Sequence, residues 1–407
     1  MSNKKNNLLF KNTIFLYILM FTKMIFPMLT LPYLTRVLSI EHYGVVAYVK
    51  AYNSYIQLLL DFGFILSATK YVVQNIEDKN KLGKITGNVF VEKAILGVGG
   101  VIATLILSES IQILSENKLF VWLFLVSSLM TIFIPDFLFR GLEKMEYVAY
   151  PFVVSKTIVL MLTFVLIKGN SDFLMIPILE IVGNGLAAII SIIFIYTNKI
   201  SISFDNLQIW ISDIKESSVY FFSNFATTIF GALTTLIVGV YMGKVEIAYW
   251  SVCMQIVAAA KSMYNPIVNS IYPHMLKTTD WNLIKKLSKL FAIPITIGSL
   301  VVLFFGNTIM SVIGGSNFYA AGDILKVLIP VFVVSFYSML IGWPVLGARG
   351  LVKETTMTTV VSAVIQILGI FILIRFNRFE LIALAICCDI SEIYLLVSRM
   401  VYLRKLK

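Results

Sequence analysis

Histidine and cysteine are scarce in this chain, and their scarcity limits the chemistry that it can carry out. His42 and His274 are the only histidines among the 407 residues, and the three cysteines are Cys253, Cys387 and Cys388. All three cysteines fall within long apolar runs, so neither a disulfide framework nor a zinc site is expected. The sequence therefore predicts no metal, no cofactor and no catalysis that depends on histidine.

Charged residues are the second scarcity. They make up 14% of the chain, whereas hydrophobic residues make up 58% and the mean hydropathy is +0.88. A soluble protein of this size could not cover so much apolar surface with so few charges. The runs lack the strict alternation of barrel strands, so we predict an all-α polytopic membrane protein.

Twelve apolar runs reach the roughly 20 residues that a helix needs to cross a bilayer. The predicted spans are 12–33, 45–67, 85–107, 119–139, 150–168, 172–196, 218–241, 247–271, 290–310, 327–347, 355–374 and 380–402. The longest connection separates the sixth span from the seventh. We therefore predict an N-terminal six-helix bundle at 1–200, a cytoplasmic linker at 201–217 and a C-terminal six-helix bundle at 218–407.

The orientation follows from the lysines and arginines of the connections. Of the 33 basic residues, 20 lie in the tails and in one alternate set of connections, 7 lie in the other set and 6 lie inside spans. Because basic residues concentrate on the cytoplasmic side, both termini are predicted to be cytoplasmic. The net charge of +11 mostly reflects this topology and does not indicate a nucleic-acid partner.

Polar side chains inside the spans mark one face of several helices. The second span carries such a stripe at three- and four-residue steps, consisting of Lys50, Asn53, Ser54, Gln57 and Asp61. The eighth span has a comparable stripe, consisting of Gln255, Ser262, Asn265 and Asn269. A shift of about 205 residues lays Gln255 on Lys50 and Ser262 on Gln57. Matching polar helices predict two pseudo-symmetric halves around a central lumen.

Ionisable residues inside spans are costly and normally face protein or water. The basic ones are Lys23, Lys50, Lys93, Lys156 and Lys261, and the acidic ones are Asp61, Glu92, Glu180, Asp389 and Glu392. Four of these lysines fall in the first half, and a cavity with such a bias would suit a substrate that carries a phosphate or an acidic sugar. The predicted substrate-binding residues are the five lysines with Arg36, Gln57 and Asn265. Two alternatives stay open: structural ion pairs between Asp61 or Glu92 and a lysine, and a Lys50 that merely reaches the membrane surface.

Two short motifs resemble a known family. Pro32, Thr35, Arg36, Leu38, Tyr43 and Gly44, followed by Asp61 and Gly63, resemble the Pro-x-x-Thr-Arg-x-Leu-Gly and Tyr-Gly elements of Wzx-type O-antigen and polysaccharide-repeat flippases. These flippases belong to the multidrug/oligosaccharidyl-lipid/polysaccharide (MOP) exporter superfamily. Residues 139–145 are similar to a second element of the family. Ser39 replaces a usual Gly, and Arg140 stands where Gln is commoner.

The resemblance implies transport of an undecaprenyl-diphosphate-linked oligosaccharide from the cytoplasmic to the periplasmic leaflet of a bacterial inner membrane. It also implies alternating access, with coupling to a proton or sodium gradient through a carboxylate such as Asp61, Glu92 or Glu180. The lipid-linked oligosaccharide and the bilayer would be the partners, together with a polysaccharide polymerase and a chain-length regulator.

Several other functions remain open. A multidrug exporter of the same superfamily would often carry cations, which a lysine-rich cavity disfavours. A lipid II flippase usually has two further helices. A major-facilitator transporter would show a Gly-x-x-x-Asp-Arg-x-Gly-Arg loop, which the sequence lacks between its second and third spans. An enzyme of the same pathway, such as a polymerase, would tend to have a large outer loop or a catalytic His/Asp set.

Overall fold

The structure is a computed structural model that describes the backbone of residues 2–278 and 280–405. It also describes their side chains, except those of residues 2–9, 222–224, 226–230 and 273. Every regular element in this part of the chain is a helix, and no strand is present among the described residues. The prediction of an all-α polytopic membrane protein is confirmed.

The first of two compact units comprises Met1–Thr228 and Ala232–Val240. Its helices are α1 (Ser2–Val37), α2 (Ile40–Asp61), α3 (Phe64–Gln74), α4 (Lys79–Ser110), α5 (Gln112–Glu116), α6 (Lys118–Met130), α7 (Asp136–Gly141), α8 (Glu146–Leu166), α9 (Met175–Thr197), α10 (Leu207–Thr228) and α11 (Thr234–Tyr241).

The second unit comprises Ile229–Gly231 and Tyr241–Lys407. Its helices are α12 (Lys244–Thr278), α13 (Trp281–Gly314), α14 (Ala321–Val327), α15 (Ile329–Ile341), α16 (Val352–Arg375) and α17 (Leu381–Lys405). The division at the 201–217 linker stays a prediction.

Ten of the helical segments in the described residues are long and apolar enough to cross a bilayer. They are Phe10–Val37, Ile40–Gln74, Lys79–Ser110, Lys118–Gly141, Glu146–Leu166, Met175–Thr197, Trp281–Gly314, Ala321–Arg349, Val352–Arg375 and Leu381–Lys405. The seventh predicted span falls on α10, a π-helical turn at Ile229–Leu233 and α11, and the eighth falls on α12. Many of the helices extend beyond the predicted spans because hydrogen bonds within a helix continue past its apolar part.

Large apolar side chains on the outside of the helices agree with a lipid environment. Phe304 is 73% exposed and Phe371 is 64% exposed, whereas Trp250, Tyr48 and Phe64 are fully buried. An exposed apolar surface of this extent on a single soluble chain would cause aggregation, but hydrocarbon covers it without cost.

Two interruptions of helices shape the interior of the first unit. The α2 helix ends at Asp61, and Phe62 and Gly63 have positive φ angles of 35° and 85° before α3 begins. Gly63 is required at this point, because a Cβ there would lie 2.5 Å from the Cβ of Tyr220 in α10. The fourth predicted span is also broken, by a 3₁₀ turn at Thr131–Phe133 and by Pro135. Irregular backbone at membrane depth is tolerated where it lines a cavity.

Candidate functional site

A polar cavity of about 520 Å³ lies inside the first unit, next to both interruptions. The side chains that line it come mainly from α1, α2, α6, α8 and α9. Its polar lining consists of Lys23, Lys50, Asn53, Ser54, Gln57, Asp61, Lys93, Ser127, Ser128, Thr131, Asp136, Ser155, Lys156, Glu180 and Asn184. A volume of this size falls within the range of small-molecule binding sites.

Two of the four lysines in the cavity are neutralised by carboxylates. The Nζ atom of Lys93 lies 3.2 Å from Oδ1 of Asp61, and the Nζ atom of Lys156 lies 2.5 Å from Oε2 of Glu180. The Lys93 side chain is 6% exposed, whereas the Asp61 side chain is 33% exposed and reaches the cavity. The Lys93–Asp61 pair is one of the structural ion pairs that the sequence left open, whereas the Lys156–Glu180 pair was not among them. The two pairs tie α4 to α2 and α8 to α9.

The other two lysines in the cavity, Lys23 and Lys50, have no carboxylate bound to their ammonium groups. Neither Lys23 nor Lys50 makes an ion pair or a side-chain hydrogen bond with any residue that the structure describes. The Nζ atom of Lys23 lies 5.3 Å from the centre of the Phe152 ring, and Lys50 interacts electrostatically with Glu180 without contacting it. Both side chains are exposed although they sit within membrane-spanning helices. They are the cationic groups of the cavity best placed to meet an anionic ligand.

Neutral polar groups complete the lining. Ser128 donates its hydroxyl to Oδ1 of Asn53 at 2.7 Å, and the Gln57 amide donates to the Thr131 hydroxyl at 3.2 Å. The Asn184 amide lies 2.9 Å from the Ser127 hydroxyl. Amides and hydroxyls have more donors and acceptors than these bonds use, so the same wall can bind further hydroxyl groups.

Asp136 is a member of the cavity that we did not predict from the sequence. It begins α7 immediately after Pro135, and its charge interacts first with Arg140 and then with Lys23 and Lys93. A proline inside an apolar span, followed directly by an acidic residue, is the signal that could have identified it, because proline interrupts a helix and opens its backbone.

Seven of the predicted site residues therefore meet in one cavity, namely Lys23, Lys50, Gln57, Asp61, Lys93, Lys156 and Glu180. Four do not join them. Arg36 is exposed at the C-terminal end of α1, and Glu92 lines a different cavity of the first unit. In the second unit, α12 carries Lys261, whose ammonium bonds the Glu392 carboxylate of α17, and Asn265, which is exposed.

The different cavity has a volume of about 260 Å³ and is lined by α3, α4 and residues 205–217. Asp205 lies at its edge. The Asn88 amide donates to Asp205 at 3.0 Å, and Lys84 binds the same carboxylate at 3.0 Å. These two hydrogen bonds hold the pKa of Asp205 below its usual value.

Comparison with known proteins agrees with this architecture. A family model described as "Polysaccharide biosynthesis protein" matches residues 9–279. A relative named "Putative O-antigen transporter", from Escherichia coli (strain K12), is 24% identical over 375 residues, which cover 89% of each chain.

Two solved structures share the fold. The lipid II flippase MurJ in an inward closed conformation superposes with a TM-score of 0.71 at 12% identity, covering 97% of this chain and 87% of its own. An inward-facing multidrug resistance MATE family transporter of the MOP superfamily superposes with a TM-score of 0.69 at 12% identity, covering 92% of each chain.

Proposed function

Because the chain belongs to the polysaccharide biosynthesis protein family, we propose that it is a flippase for a lipid-linked oligosaccharide. The resemblance to Wzx-type flippases of the MOP superfamily, noted in the Pro32 and Phe139 motifs, is confirmed by this family and by the relatives. The substrate is an undecaprenyl-diphosphate-linked repeat unit, moved from the cytoplasmic to the periplasmic leaflet of the inner membrane.

One observation supports this substrate more than any other, namely the two ammonium groups of Lys23 and Lys50, which make no ion pair with any residue that the structure describes. A diphosphate with a substituent at each end carries two negative charges at neutral pH, and two free ammonium groups match them. Charge-assisted hydrogen bonds to phosphate are about twice as strong as neutral ones. The amides and hydroxyls of Asn53, Gln57 and Asn184 would bind the sugar, while the polyprenyl tail stays in lipid.

The transport step would proceed by alternating access. Asp61, Glu92 and Glu180 remain the groups that we propose for coupling to an ion gradient, and Arg36, Lys93, Lys156, Lys261 and Asn265 remain proposed contacts of the substrate along its path. The proposal keeps both termini in the cytoplasm, with a polysaccharide polymerase and a chain-length regulator as partners in the membrane.

The multidrug-exporter alternative fits this cavity less well. A cationic drug would meet the free ammonium groups of Lys23 and Lys50, and repulsion between like charges at membrane depth is strong. The enzyme alternative gains no support from the E. coli relative, which is named as a transporter.

The test is to find the leaflet on which the lipid-linked repeat unit accumulates. Cells that lack this protein, with ligase and polymerase intact, are converted to spheroplasts and exposed to a membrane-impermeant sugar-binding probe. We expect units hidden from the probe, and re-expression should expose them. If the units reach the outer leaflet without the protein and only chain growth fails, the polymerase alternative is favoured. If cells that lack the protein make an unchanged glycan, the multidrug-exporter alternative becomes the next one to test.

A matched pair of variants links the phenotype to the cavity. Lys50→Gln removes a free ammonium group, whereas Lys118→Gln removes a lysine of an exposed ion pair with Glu109. We expect Lys50→Gln to slow exposure of the units at equal protein abundance and Lys118→Gln to have no effect.

A further inference from the structure

The segment that follows α9 lies directly on a glycine face of α4. A Cβ on Gly83 would lie 1.8 Å from the backbone oxygen of Ser201, and a Cβ on Gly87 would lie 2.2 Å from that of Ser203. The Ser203 amide also donates to the Gly83 carbonyl at 3.3 Å. The chain from residue 201 onward is therefore seated in a groove that exists because these two residues have no side chains.

Polar contacts continue along the same segment, residues 201–217. Asn88 of α4 accepts hydrogen bonds from the Asp205 backbone amide at 2.9 Å and from the Trp210 indole at 3.1 Å. Ser217 meets Ser67 of α3 at 2.7 Å. These contacts hold residues 201–217 against α3 and α4 over the length of the 260 Å³ cavity.

One group in this contact is not satisfied. Glu92 is fully buried, and no amide, hydroxyl or ammonium group of the described residues donates a hydrogen bond to either of its carboxyl oxygens. The ionisable group beside it is Asp213 of α10, so two carboxyl groups face each other in the wall of the cavity. Lys93, the neighbour of Glu92 in sequence, is turned to the larger cavity and bound to Asp61. Lys93 is therefore not available to neutralise Glu92.

We propose that Glu92 and Asp213 share one proton, and that this proton holds the 201–217 segment on the first unit. Ionising both would set a charge on the fully buried Glu92 beside a second negative charge on Asp213, whereas one proton converts their repulsion into a hydrogen bond. Asp213 is half-buried and lines the cavity, so the proton can reach the pair from its side.

The surrounding charges agree with this assignment. Burial, together with the nearby carboxylates of Glu216 and Asp205, raises the pKa of Asp213. Of the basic groups nearby, Lys84 and Lys70 are engaged in ion pairs, and Lys81 is exposed. Lys84 is bound to Asp205, and Lys70 is bound to Glu216. The remaining ionisable groups of the cavity lining are Lys81 and Tyr71. The Tyr71 hydroxyl also donates a hydrogen bond to Glu216.

The direction of the pH effect follows from proton linkage. The docked segment binds a proton that the released segment gives up, so docking is favoured at low pH and weakens as the pH rises. Between the pH at which the released pair ionises and the higher pH at which the docked pair loses its proton, the opening equilibrium should shift on the order of tenfold per pH unit, and above that range it should level off.

The experiment measures hydrogen–deuterium exchange of residues 201–217 in the full-length protein in lipid nanodiscs, corrected for the intrinsic rate at each pH. We expect wild type to lose at least about tenfold of its protection between pH 6 and pH 9. Glu92→Gln, which cannot ionise but can donate to Asp213, should stay protected at both values. Glu77→Gln makes the same change at an exposed position outside the cavity and should behave as wild type.

Equal protection of wild type at both pH values overturns the proposal, as does a Glu92→Gln variant that loses protection as wild type does. If Glu92→Gln is poorly folded, Asp213→Asn replaces it, because either substitution leaves a single ionisable carboxyl group in the pair. No oligosaccharide is needed, so a failure here leaves the flippase proposal intact, and a failed flippase test leaves this one intact.

Discussion

Replacing Lys156 with Met should impair transport, because Glu180, once it has lost Lys156, should bind Lys50 instead. Glu180 is bound by Lys156 at 2.5 Å and also attracts Lys50, which has no contact of its own with a carboxylate. Without Lys156, the Glu180 carboxylate lacks its partner, and Lys50 is the ammonium group that can replace it. The free charge at Lys50 is then lost to the substrate although the residue itself is unchanged.

The magnitudes favour this capture. Leaving one partner of a buried ion pair alone costs about 3–5 kcal/mol in a dry interior. The Glu180 side chain is 23% exposed, so the cost is lower here, but it still provides a driving force for Lys50 to move. The substrate would lose a hydrogen bond between opposite charges, worth about 1.5–3 kcal/mol, so its rate at low concentration should fall roughly 10- to 100-fold.

The double variant Lys156→Met/Glu180→Gln separates capture from a direct role of Lys156. Removing the carboxylate releases Lys50, so most of the lost rate should return, as measured by the appearance of repeat units on the outer leaflet at matched protein abundance. Lys118→Met serves as the control, since it breaks an ion pair at an exposed site. A double variant as slow as the single one would refute the capture and would point to a direct requirement for Lys156 or Glu180.

Two further predictions concern stability, measured by thermal unfolding in detergent. Gly83→Ala should lower the free energy of unfolding by about 1–3 kcal/mol, since its Cβ would overlap the backbone of Ser201. Gly99→Ala on the same helix meets open space and should be neutral or stabilising. Equal effects of the two substitutions would contradict the packing of residues 201–217 against α4. Arg399→Met should cost roughly 1–3 kcal/mol, because it leaves the Ser338 carbonyl, which the buried guanidinium contacts at 2.6 Å, without its donor. Recovery with Arg399→Lys would show that a single charged donor suffices there.

The fold could be predicted from the sequence because the membrane constrains the backbone strongly. Runs of about 20 apolar residues must be helical in lipid, and this rule identified the spans. The ends of the helices could not be predicted as accurately from the sequence. For example, α4 covers Lys79–Ser110, whereas the hydropathy predicted 85–107. Hydropathy reports the lipid-exposed middle of a helix, and capping by a residue such as Asp78 decides where the helix begins.

The candidate site was predicted in part. The three- and four-residue spacing of Lys50, Gln57 and Asp61 placed them on one face of a helix, and they do line one cavity. Adjacent residues on a helix point about 100° apart, so Glu92 and Lys93 can face different surroundings. The spacing alone could not show that they line two different cavities. It also could not show which lysines are neutralised, since Lys156 and Glu180 lie on different helices.

That distinction between bound and free lysines gives the cavity its physical logic. Four ammonium groups without carboxylate partners would carry a large free-energy cost at membrane depth, and each would tend to bind an anion even when no substrate is present. Asp61 and Glu180 neutralise two of them and remain in place without substrate. Lys23 and Lys50 line the cavity without an ion pair among the described residues, and under the proposed function the diphosphate of the substrate would bind both. The cavity is thus stable when empty and attractive to an anion, and a transporter that must release its substrate needs both properties.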